Sequence, residues 1–131
     1  RNHLLRNEQK YDIIVTAPSP IWQNDSHLFT KEFFELIDSR LNERGIVAQW
    51  LPTYSLDNHG ITAFANTYQS VFPYVYVYQM QPDNNGMLIL IGSNYPLELN
   101  PKIPFYLFDF QEDKQLLETE LNTDDKPFLE L

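Results

Sequence analysis

The sequence predicts an α/β chain whose sheet is parallel at first and finished by an antiparallel strand. Three observations carry this. Residues 11–16, YDIIVT, form a run of apolar and β-branched residues without alternation, the pattern of a central parallel strand covered on both faces. GIVAQWLP, residues 45–52, is a second such run, and each is followed by apolar residues at helical spacing. Strand, helix, strand, helix in that order predicts right-handed crossovers and a parallel sheet. VYVYQM (75–80) and MLILIGS (87–93) then flank PDNNG, where Asn85 and Gly86 supply the positive φ of a tight hairpin turn.

Taken in order, residues 1–10 place Leu4 and Leu5 among polar neighbours, as in a short helix or turn leading into the first strand. After that strand, Pro18 and Pro20 push Ala17 and Ser19 out of the helical region, so the chain leaves the sheet as a stiff, extended shelf. Open α/β sheets bind ligands beyond the carboxyl ends of their strands, which makes residues 17–22 the first place to look for function. Thr30 is a candidate N-cap, and Phe33, Phe34, Ile37 and Leu41 mark the buried stripe of a helix expected to stop near Gly45. Glu32 and Glu35 in its early turns and Arg40 later suit the helix dipole and read as solvated charges. Gln49 is the one polar side chain near the carboxyl end of the second strand. Ser55 or Asp57 caps a second helix with Ile61, Phe64, Ala65, Tyr68 and Phe72 on its buried face, closed by Pro73. The tail contributes a proline-rich connector and one short helix near residues 111–120.

Composition narrows the function. Nine basic against eighteen acidic residues give a net charge of −9 with no basic cluster, which disfavours nucleic acid and anionic membranes as partners. The chain has no cysteine, so disulfides, thiolate metal sites and cysteine nucleophiles are excluded. No apolar run approaches the roughly 20 residues of a membrane span, no signal peptide is present, and a cytoplasmic location is expected. At 131 residues one domain or a piece of one is expected, and the start at RNHLLRNEQ, without Met or a preceding strand, suggests a piece of a longer protein. His3, His27 and His59 share no ligand spacing, so no metal is assigned. Asp109, Glu112 and Asp113, and the pair Asp124 and Asp125, read as solvated or turn acids. No nucleophile elbow or glycine-rich phosphate loop occurs. The eight Tyr and nine Phe are read as core, leaving Trp22, Trp50 and Tyr54 as candidates for an aromatic ligand wall.

YDIIVTAPSPIW, LFTKEFFELIDSRLNERGIVAQWLPTYSL, ITAFANTYQSVFPYVYVY with GMLILIGS, and LNTDDKPFLE together resemble the carboxyl-terminal half of spermidine synthase-like proteins, the polyamine aminopropyltransferase family. The likeness is greatest to a bacterial branch often fused to membrane-transporter segments, which would tether the parent to a membrane. The resemblance implies strands 4 to 7 of a Rossmann-like, S-adenosylmethionine-dependent methyltransferase fold. Residues 1–131 would then be a single partial domain without its nucleotide-binding half, binding no cofactor itself. The parent would use decarboxylated S-adenosylmethionine as co-substrate and a diamine such as putrescine as acceptor. By position, Asn24, Asp25 and Leu28 match residues on the adenine side, while Gln49, Tyr54 and Trp22 match or border the substrate side.

Family members that make spermidine read D-S-S-D-P where this chain has Ala17, Pro18, Ser19, Pro20 and Ile21. The missing carboxylate matters because a free alkylamine has a pKa near that of lysine, about 10.4, and must lose a proton to attack carbon. A carboxylate anchors the cation and accepts that proton, a role that contributes typically ~10²–10⁴-fold. Alanine does neither, which leaves no catalytic residue assigned; Asp25, eight residues on in the same loop, is a candidate substitute. Three readings follow: part of an aminopropyltransferase-type enzyme, a non-catalytic binding or interaction module, or a truncated domain whose open edge at residues 11–16 recruits a second copy.

Overall fold

The computed structural model of the chain describes residues 1–18, 26–79, 87–98 and 124. Its centre is a parallel pair, β1 (Tyr11–Thr16) and β2 (Leu41–Pro52), joined through the helix α2 (Lys31–Ser39). A second helix, α3 (Asn58–Gln69), leads to β3 (Tyr74–Gln79), and β4 (Met87–Ser93) follows. β4 is antiparallel to both β2 and β3 and lies between them, giving the order β1-β2-β4-β3. The expected antiparallel pairing of the last two strands is therefore present, although Asn85 and Gly86 lie outside the described residues, as does the helix expected near 111–120. A short α1 (Asn2–Arg6) precedes β1 and buries Leu4.

Register assigns the two faces of the sheet. Ile14 pairs with Val47 and Thr16 with Gln49, while Gln49 and Leu51 pair with Leu90 and Leu88. This face packs against α2 and α3, and Val47, Leu51, Leu90, Phe34, Ile37, Phe64, Tyr68 and Phe72 join in one core cluster. Phe29, Phe33, Phe34, Phe64, Phe72, Tyr68 and Tyr76 are buried as expected, whereas Tyr54 and Tyr74 are exposed and the aromatics of the tail lie outside the described residues. Phe34 meets Phe64 and Tyr68 edge-on, at 5.8 and 5.0 Å between ring centroids. Such edge-to-face pairs add about 0.5–1.5 kcal/mol each beyond their burial. Tyr68 is fully buried, and its hydroxyl lies 3.3 Å from the carbonyls of both Val47 and Leu90.

Two expectations are corrected. Leu41, assigned to the helix, already belongs to β2 and faces Tyr11, because α2 ends at Ser39. The pairing then jumps from Tyr11–Leu41 to Ile13–Ile46, so residues 42–45 form an irregularity at the strand's start. Backbone crowds it closely: a Cβ on Gly45 would come within 3.0 Å of the Tyr11 carbonyl. Secondly, β1 is not covered on both faces. It is an edge strand in the described sheet, and Ile13 and Val15 are 60% and 69% exposed on the face opposite α2 and α3.

The helix caps follow the sequence. Thr30 accepts a bond from the Phe33 amide at 3.4 Å, and Asp57, rather than Ser55, accepts from the Gly60 amide at 2.7 Å. Arg40 departs from its expected place in the helix: it is the C-cap residue, and its Nε donates to the Leu4 carbonyl at 3.1 Å, fastening α1 to the end of α2.

Candidate functional site

The carboxyl ends of β1 and β2 lie side by side, since parallel pairing brings Thr16 opposite Gln49. Ala17 is the next residue and is exposed, while Pro18 behind it is buried. The methyl group of Ala17 thus stands just beyond the carboxyl end of β1. Gln49 is fully buried and internally engaged: its Oε1 accepts from the Thr16 hydroxyl, and its Nε2 donates to the Trp50 carbonyl at 2.9 Å. In this chain the glutamine locks the last rung of the parallel pair. One N–H and one lone pair of the amide are left over, but the side chain is fully buried.

Tyr54 follows β2 in a 3-10 turn, Thr53–Ser55, and is 56% exposed. It shares with Ala17 the edge where the parallel strands end. Leu28 closes another 3-10 turn, Ser26–Leu28, and is half-buried against the core cluster. Trp22, Asn24 and Asp25 lie outside the described residues, so the structure gathers Ala17, Gln49 and Tyr54 at one edge and brings Leu28 to the entry of α2. Trp50, the remaining aromatic candidate, is half-buried and stands on the face away from the helices. Among the described residues no group of three or more His, Cys, Asp or Glu could hold a metal ion. His3 instead contacts the Tyr11 hydroxyl at 2.9 Å.

One constellation was not legible in the sequence. Asp124 receives the Arg1 guanidinium on both carboxylate oxygens and the Thr30 hydroxyl at 2.7 Å, and its own amide donates to Glu32 at 2.9 Å. Arg1 also donates to the His27 carbonyl at 2.7 Å. The bonded guanidinium holds the Asp124 carboxyl below its ordinary pKa; burial opposes it and the Thr30 hydroxyl adds a lesser lowering, and the carboxylate in turn raises Arg1. Glu32 is accordingly more than a solvated charge. The reading of Asp124 as a solvated or turn acid named no partner, because Thr30 lies 94 positions away.

A sheet with a parallel start, an inserted antiparallel β4 and helices α2 and α3 on one face defines a partial Rossmann-like methyltransferase fold. The same arrangement occurs in a probable spermidine synthase from Corynebacterium glutamicum, at a TM-score of 0.60 and 20% identity over 88% of this chain and 48% of that one. Human methyltransferase-like protein 13 matches at 0.55 and 20% identity, over 84% of this chain and 48% of that one. The sequence profile of the Spermine/spermidine synthase domain matches residues 1–95, and the chain belongs to that family. Polyamine aminopropyltransferase 2 of Pseudomonas aeruginosa is 34% identical over 82 residues, which are 60% of this chain and 24% of that protein. The chain therefore spans about a quarter of the length of this relative, and half or less of the solved structures it resembles.

Proposed function

We propose that this chain is the carboxyl-terminal part of an aminopropyltransferase-type domain, and that by itself it transfers no aminopropyl group. In a longer parent it would contribute the acceptor-side edge, with Gln49, Tyr54 and Trp22 on the substrate side, Ala17 at the position of the family's acid, and Asn24, Asp25 and Leu28 facing the adenine of decarboxylated S-adenosylmethionine. The reading is supported by family membership and by the position of Ala17 just beyond the carboxyl end of β1 in the parallel pair.

The observation that carries the inactivity is Ala17, exposed at the end of β1 where the spermidine-forming members have an acid. The Ala17 side chain offers a cationic diamine neither a charge to anchor it nor a base to take its proton. The alternative is a non-catalytic binding or interaction module, favoured by the replacement of both shelf acids, at Ala17 and Pro20.

Calorimetry separates the two. Decarboxylated S-adenosylmethionine, S-adenosylmethionine and methylthioadenosine are titrated into this chain and into a longer protein that contains it, and putrescine is added afterwards. The proposal expects no turnover by the 131-residue chain. It also expects nucleotide binding by the longer protein, with turnover if Asp25 supplies the base. Absence of binding to the longer protein would favour the interaction module, and turnover by the short chain would overturn the assignment of inactivity.

A further inference from the structure

Arg1, His27, Thr30, Glu32 and Asp124 come from three places far apart in the chain, yet they close into one network of charge-assisted bonds. The network is more than a tail resting on a surface. Arg1 spans two acceptors, the Asp124 carboxylate and the His27 carbonyl, so it ties residue 124 to the 3-10 turn Ser26–Leu28. Thr30 also works in two directions, accepting from the Phe33 amide as N-cap of α2 and donating to Asp124. The Asp124 amide completes the ring at Glu32, in the first turn of the same helix.

We propose that Asp124 is an ionic clasp, a positioning residue that fixes the turn at residues 26–30 and the entry of α2 through Arg1 and Thr30. The geometry requires a carboxylate in particular. Its two oxygens match the fork of the guanidinium, and one of them has a lone pair left for the Thr30 hydroxyl. An asparagine would keep an acceptor for Thr30 but would turn an NH₂ group toward Arg1. The clasp therefore depends on charge at a point where packing alone would leave an exposed aspartate idle. Among the described residues, the titratable and charged groups facing Asp124 are Arg1 ahead of α1, His27 on the 3-10 turn and Glu32 on α2. Of these, Glu32 is of like sign, and it is engaged by the Asp124 amide.

Two backbone bonds report on the clasp from inside the segment it holds: Phe29 amide to Ser26 carbonyl at 3.0 Å, and Phe34 amide to Thr30 carbonyl at 3.1 Å. Hydrogen exchange at these two amides, with Val47 and Leu90 in the sheet as controls, tests the proposal in the 131-residue chain. Asp124→Asn and Asp124→Ala are expected to speed exchange at Phe29 and Phe34 by about tenfold or more, on the scale of charge-assisted bonds, while Val47 and Leu90 change little. Arg1→Gln is expected to reproduce the Asp124→Asn effect, and Asp124→Glu to restore part of the protection. Unchanged exchange at Phe29 and Phe34 in Asp124→Asn would overturn the ionic clasp. Equal acceleration at all four amides would also overturn it, because Asp124 would then support the whole fold and not this turn. Should Asp124→Ala fail to fold, Asp124→Asn and Arg1→Gln decide the matter.

Discussion

Gly92 stands opposite Val47 in the sheet, and a Cβ built there would lie 2.7 Å from the ring of Phe72, itself fully buried. Neither partner has room to move. Gly92→Ala is expected to destabilise the chain by about 1–3 kcal/mol, the range for overpacking a filled core, measurable by urea denaturation. Tyr68 sets a second residue-level expectation. Burial raises its pKa well above the ordinary 10.0, a shift only partly opposed by a backbone bond from Gly92. Below that value the hydroxyl is neutral in both states and contributes no pH dependence. As pH rises above 10.0 the unfolded chain ionises first, so this group's support for the fold drains away. Tyr68→Phe is therefore expected to flatten the alkaline fall of melting temperature, even while losing about 0.5–1.5 kcal/mol at neutral pH. Asp124 acts at the other end of the scale. Its depressed carboxyl lends stability above the ordinary value of 3.8, lost as pH falls through the still lower folded value. Asp124→Asn should remove that acid-limb dependence, read as melting temperature against pH. Residues differ in how far the sequence exposes them. The apolar identity of Phe34 or Tyr68 announces burial, whereas nothing in Gln49 announces that Thr16 takes its oxygen, or in Asp124 that Arg1 and Thr30 wait for it.

At the scale of elements, caps and stripes were legible because they are local. Thr30 caps α2, and Phe33, Phe34 and Ile37 are buried as the helical spacing requires. Leu41 misled for a physical reason: it continues the spacing of Ile37, but its partner is Tyr11, and strand pairing wins once Arg40 has ended the helix. α3 shows the opposite limit. Periodicity marked one face, yet residues 63–68 are all buried, Asn66 and Thr67 included, so the helix is enclosed on more than one side. Its N-terminus is capped by the Asp57 side chain, which accepts from the Gly60 amide at 2.7 Å. Asp57→Ala is expected to cost about 1 kcal/mol, a drop of roughly 3–6 °C in melting temperature.

For the whole molecule, the unalternating run in β1 could not say whether both its faces are covered, because that depends on neighbours outside the strand. In this chain Ile13 and Val15 stand exposed along a strand whose outer edge pairs with no described strand. Unpaired strand edges with β-branched residues recruit other strands. Sedimentation of the 131-residue chain is expected to show at least a dimer, and Val15→Lys to shift it toward monomer. A wild-type monomer would leave the edge without a partner and end that expectation. In a longer parent the same edge would be available to the parent's own strands.

The insertion of β4 between β2 and β3 also bears on how the chain is made. On a ribosome β1 and β2 can meet as soon as residue 52 is clear of the exit, but β3, made next, has no seat on the described sheet until β4 arrives between them. The tyrosine-rich strand YVYVYQ must therefore wait with both edges open while residues 80–93 are synthesised. A pause or a premature stop in that interval would release a half-sheet with one strand unplaced, a species prone to aggregation.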